Sequence, residues 1–95
     1  MSLYTVTLMD FPDLPTSVAA EAENRFRRAL DKALGEDVML VFQAFRAAEE
    51  SGEDELTKQE IALAEQWPRA YKAAMDAGFG RLGEADGAHF EVRLL

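Results

Sequence analysis

Hydrophobic and polar residues alternate at both ends of the chain and recur at three- and four-residue steps between them. Over 3–9, the order Leu-Tyr-Thr-Val-Thr-Leu-Met puts Tyr4, Val6 and Leu8 on one face and Thr5 and Thr7 on the other, the period of a half-buried strand. Over 88–94, Phe90, Val92 and Leu94 alternate with His89, Glu91 and Arg93, which predicts a second strand with a matching apolar face. Pro12 and Pro15 follow the first strand and force the chain out of the sheet, because proline has no amide to give to a ladder.

The middle reads as helices. Val18, Ala22, Phe26, Ala29, Leu30 and Ala33 form one apolar stripe, with Thr16 or Ser17 as its cap and Gly35 as its stop. Glu21 before Arg25 and Glu23 before Arg27 add acid-then-base pairs at the supporting spacing of four. The run Val38-Met39-Leu40-Val41-Phe42 suits a buried strand or a helix. Val38, Val41, Phe42, Phe45 and Ala48 continue a helical ladder after Asp37, which favours a helix and makes it the central one, covered on more than one side. Thr57 and Glu60 have capping-box spacing. They open a third helix carrying Ile61, Leu63, Ala64, Trp67, Tyr71, Ala74 and Met75, with Gly78 as its stop. Pro68 lies within it, and an interior proline costs about 3 kcal/mol, so this helix is expected to kink or split there.

Strand, three helices, strand is an α+β order. The expected architecture is one globular domain over 1–95, with three helices packed on a small sheet formed by the N- and C-terminal strands. A two-stranded sheet has two unpaired edges, and neither strand carries the proline or lysine that discourages another chain from adding on. Homodimerisation through a strand edge follows as an expectation.

Composition changes the picture mainly by exclusion. Hydrophobic residues at 48% and charged residues at 29% suit a folded chain. The formal charge of -8 repels a phosphate backbone and gives no counterion release, so direct nucleic-acid binding is not expected. With no Cys and a single His, thiolate chemistry, disulfides and Cys-ligated metals drop out, and neither a metal nor a cofactor is expected. The longest uninterrupted apolar run is the five residues 38–42, against the roughly 20 of a membrane helix. A cytoplasmic protein without membrane association is expected, since no basic segment followed by an apolar stretch opens the sequence.

Charge is concentrated in the middle, where 36–66 holds nine acids against two bases. Glu49, Glu50, Glu53, Asp54 and Glu55 are candidate binding residues for a basic partner, weighed against a solvated acidic loop. They lack the alternating Asp/Asn pattern of a calcium loop. Trp67 and Tyr71, beside Pro68, are candidates for a partner contact or small pocket, with burial in the core as the alternative. Arg25, Arg27, Arg28 and Lys32 are partly neutralised by Glu21, Glu23 and Asp31. His89, Glu91 and Arg93 share a strand face without a nucleophile beside them, so no catalytic residue is assigned. The reading is a small acidic, non-enzymatic protein that acts by protein–protein association, with another protein or with itself. The alternatives are a small-ligand binder or modest enzyme with a pocket near Trp67 and Tyr71, and an acidic inhibitor of a nucleic-acid-binding protein.

Overall fold

The elements follow in the order β1 (Tyr4–Met9), α1 (Thr16–Leu34), α2 (Val38–Ser51), α3 (Lys58–Phe79) and β2 (His89–Leu94), in a computed structural model. Short 3-10 turns occupy Gly35–Asp37, Glu53–Glu55 and Gly80–Leu82. The structure describes residues 4–83 and 85–95, with side chains at all of these except 53 and 81. Leu3, which the apolar alternation adds to the first strand, lies outside the described residues.

The fold is α+β, and the two ends pair as an antiparallel two-stranded sheet running from Tyr4 opposite Leu94 to Met9 opposite His89. This register lines up the two apolar triads. Tyr4, Val6, Phe90 and Val92 are buried beneath the sheet, and Leu8 and Leu94 pack against the same cluster. Phe26 and Leu30 from α1 and Val41 from α2 complete the fully buried centre around Phe90. Phe26 stacks on Phe90 with ring centroids 4.6 Å apart and meets Tyr71 edge-on at 5.5 Å.

Several local expectations are met by other means than the sequence implied. Neither Thr16 nor Ser17 caps α1 with its side chain. Pro15 takes the cap position, and its carbonyl accepts from the amides of Val18 and Ala19, both at 3.0 Å; the fixed φ of proline sets this entry. Asp37 makes no side-chain cap because a 3-10 turn runs directly into α2. The Thr57–Glu60 capping box does form, with its two bonds at 3.1 and 3.2 Å.

Three expectations about the helices are corrected. Segment 38–51 is a helix, but α3 is the central one: it packs against both α1 and α2, which barely touch each other. The buried residues Ala64, Ala70, Ala74 and Gly78 give α3 low surfaces that neighbours can approach, while α2 leaves Leu40 55% exposed. Of the kink or split expected at Pro68, the split does not occur: a single helix runs through the proline. Its proline ring is on the exposed side, and Trp67, Ala70 and Ala74 hold the core side. Nor does Gly78 end the helix. The end is Gly80, at φ +47°, whose amide donates to the Asp76 carbonyl, and Gly78 is a buried contact point under Phe90. No helix among the described residues is long and apolar enough to cross a membrane.

Candidate functional site

In an antiparallel pair, opposed residues alternate between exchanging hydrogen bonds with each other and pointing their backbone groups away. Two side chains identify which residues point away. The Leu8 amide donates to Glu23 Oε2 at 2.8 Å, and the Phe90 carbonyl accepts from the Tyr71 hydroxyl at 2.7 Å. Leu8 and Phe90 oppose each other in the register. By alternation, Tyr4 and Val6 on β1, and Val92 and Leu94 on β2, also direct their amides and carbonyls outward.

The two edges are treated differently. Along β1 helix α1 packs close, and Glu23 reaches the strand. On β2 Tyr71 occupies the Phe90 carbonyl, so each strand has one outward group engaged, and the outward groups of Tyr4 and Val6 are, like those of Val92 and Leu94, without a partner among the described residues. Among the described residues the Val92 and Leu94 backbone groups have no hydrogen-bond partner beyond the sheet. They border a groove of about 630 Å³ between β2 and α2, whose far wall is Phe42, Phe45, Arg46 and Glu49 and whose near wall is residues 91–94.

This groove is electrically balanced although the chain is acidic. Its lining carries Arg46 and Glu49 from α2 and Glu91 and Arg93 from β2. Arg93 Nε donates to Glu91 Oε1 at 2.6 Å. Arg46 reaches Glu50 at 3.3 Å, and its guanidinium lies 5.8 Å from the centre of the Phe42 ring. Unpaired strand groups beside an apolar wall are the arrangement that accepts an added extended segment.

The residues singled out in the sequence are distributed otherwise. Trp67 is only 5% exposed and sits in the core against Phe42, Phe45 and Tyr71, at 4.8, 6.2 and 5.8 Å between centroids. It therefore backs the groove wall without lining it. Tyr71 is half-buried and fixes the β2 edge through its hydroxyl. Aromatic neighbours surround this pair; a concavity of about 260 Å³ between α2 and α3 is lined by Pro68, Phe45, Ala48 and Ala64 among others, and one of about 550 Å³ between α1 and α3 by Leu34, Glu65, Gln66 and Arg69 among others, with neither Trp67 nor Tyr71 in the lining of either. The acidic cluster is divided as well. Glu49 lines the groove, Glu50 pairs with Arg46, and Asp54 and Glu55 are exposed on a 3-10 turn. Glu53 shares that turn, with its side chain outside the described residues. Sequence reasoning assigned Phe42, Phe45 and Val92 only to apolar faces, gave Arg46 no role, and weighed Glu91 and Arg93 for catalysis and not for binding. The legible signal was an acid and a base flanking Val92 on a strand without a gatekeeper.

A second polar cluster ties β1 to α1. The Tyr4 hydroxyl donates to Asp31 Oδ1 at 2.5 Å, and the Arg27 guanidinium lies 5.6 Å from the ring centre. Burial, reinforced by the Asp31 hydrogen bond and charge, pushes the Tyr4 phenol well above its ordinary range. Burial also raises Tyr71. Both folded-state values exceed those of the unfolded chain, so the unfolded chain releases these protons first. Their contribution is intact below about pH 10 and is lost as pH rises toward the folded values. Tyr4→Phe is expected to cost about 1 kcal/mol at pH 8, and urea titrations repeated at pH 11 should show the gap to the native chain narrowing. An unchanged gap would mean that Tyr4 does not keep its proton in the fold.

Among the described residues, no three His, Asp or Glu side chains gather where they could hold a metal ion. The chain matches no protein-family model, no curated protein and no solved structure.

Proposed function

We propose that this chain, read as three helices packed on the sheet made by its two ends, is a non-enzymatic protein-association module that binds through the free edge of β2. The observation that carries the reading is the unpaired Val92 and Leu94 backbone beside a balanced groove of about 630 Å³ walled by Phe42 and Phe45. An added strand would give these groups partners and cover the half-buried Leu94. It would also extend a two-stranded sheet, which is the least stable size.

Proline at the centre of this edge tests the reading. The Val92 amide faces the groove and not β1, so Val92→Pro removes an edge donor while leaving the β1–β2 bonds in place, a setting in which a strand tolerates proline, although it also trims a buried side chain. A photocrosslinking residue at Arg93, introduced in cells, should form protein adducts that Val92→Pro abolishes. The same group at Leu40, exposed on the far side of α2, should form few. Circular dichroism and thermal melting of the purified variant check that the fold is retained, and Leu94→Pro provides a second edge variant. Adducts of equal yield from both positions, or adducts indifferent to both prolines, would defeat the reading.

A further inference from the structure

We infer that the occupant of this edge is a second copy of the chain, its β2 running antiparallel to the first about a two-fold axis through Val92. The inference rests on the reading of the β2 edge as the binding edge and adds to it the partner and the register. Ladder bonds can form only where outward-pointing residues oppose one another, and on β2 these are Phe90, Val92 and Leu94. Three symmetric registers near the centre satisfy this condition, and the exposed face chooses among them.

A two-fold axis at Glu91 places Glu91 opposite its own copy and Arg93 opposite His89. An axis at Arg93 opposes two Arg93 side chains. An axis at Val92 opposes Val92 to Val92, each donating to and accepting from the other. It then sets Glu91 opposite Arg93 twice on the outer face and Phe90 opposite Leu94 twice on the inner face, where the Phe90 carbonyl, already accepting from Tyr71, would take the opposing Leu94 amide on its second lone pair. Opposite charges directly across a ladder are favourable and like charges unfavourable, so one register has every pair matched and the others do not. The intrachain bond from Arg93 Nε to Glu91 Oε1, 2.6 Å long, shows that these two side chains already reach toward one point.

A self-complementary acid-base order is what a second copy needs and an unrelated partner does not. The groove, with two acids and two bases, is a balanced patch on a chain of formal charge -8, so long-range repulsion between copies is least where this surface leads. The other strand offers no such selection, because its outer face carries the uncharged Thr5 and Thr7. The assembly would hold a four-stranded sheet in the order β1-β2-β2-β1.

Charge exchange provides the test. Glu91→Arg and Arg93→Glu alter side chains on the outer face of β2, so the core is untouched and circular dichroism verifies the fold. By sedimentation and light scattering the native chain should dimerise, and each variant alone should associate about tenfold more weakly or worse, because both cross-strand pairs become like-charged. An equimolar mixture of the two variants should recover association, since every opposed pair is again of opposite sign. The absence of cysteine allows a register check. Chains bearing Glu91→Cys should form disulfides with chains bearing Arg93→Cys, because those positions become a directly opposed, non-hydrogen-bonded pair with Cα atoms ~4.5 Å apart. Neither should cross-link efficiently to itself. A native chain that stays monomeric at millimolar concentration, or Glu91→Cys cross-linking preferentially to itself, overturns the inference. In the first case, Val92→Pro-sensitive adducts to other proteins would leave the edge reading standing. A native dimer indifferent to the charge exchanges and to Val92→Pro would end both.

Discussion

Phe26→Ala is expected to cost about 3–5 kcal/mol of folding stability, the range for deleting a buried phenylalanine ring. For 95 residues the whole stability is on the order of 5–14 kcal/mol, so this single change should leave a visibly unfolded fraction at mild temperature. The ring is fully buried. It joins three elements, coming from α1, stacking on Phe90 of β2 at 4.6 Å and meeting the edge of Tyr71 of α3 at 5.5 Å. Aromatic pairs add roughly 0.5–1.5 kcal/mol beyond the area they bury, and two such pairs disappear together. Urea unfolding followed through the single tryptophan, Trp67, reads the loss directly. Phe26→Leu should retain about half of the stability that alanine loses, because it keeps volume without the stacked face. A cost below about 1 kcal/mol for alanine would show that the site collapses freely and that Phe26 does not anchor β2.

How far the fold could be read from the sequence depended on whether a signal was local. The two strands announced themselves through period-two alternation with matching apolar triads, and pairing followed because neither triad could be buried otherwise. The Thr57–Glu60 box is entirely local, and it formed as read. Gly78 was misread for the opposite reason. An Ala-Gly pair late in a helix looks like a stop, and nothing nearby reveals that Phe90, twelve residues on, will lie over it. Trp67 and Tyr71 posed the same difficulty, since an aromatic pair beside a proline looks alike whether its partners are Phe42 and Phe26 or a foreign surface.

The edge was half legible. Open edges follow from a two-stranded sheet. Which one borders a groove is decided by α1 packing along β1 and α2 standing off from β2, and which residues point outward is marked by Glu23 at the Leu8 amide and Tyr71 at the Phe90 carbonyl, contacts between residues 15 and 19 apart in sequence. The acidic run attracted attention by its density, yet helix geometry scatters it, and only Glu49 joins the groove.

Gly78→Ala should be destabilising even though alanine is the better helix former. Propensity alone would favour the substitution by about 1 kcal/mol. Gly78 lies inside α3 and not at a left-handed position, so no backbone strain enters. The obstacle is packing: a Cβ there would stand 2.5 Å from Phe90 Cζ, 2.8 Å from Phe90 Cε2 and 3.2 Å from Phe26 Cβ. Phe90 has nowhere to withdraw, being 1% exposed and held between Phe26 at 4.6 Å and Phe79 at 5.0 Å. Overpacking of this kind typically costs about 1–3 kcal/mol net. A double-mutant cycle with Phe90→Leu separates the causes, because leucine lacks the Cζ and Cε2 atoms that the new methyl would strike. In that background Gly78→Ala should cost less than half as much, a coupling of order 1 kcal/mol between contacting residues. Equal costs in both backgrounds would place the penalty elsewhere in α3 and remove Phe90 as the reason that this position is glycine.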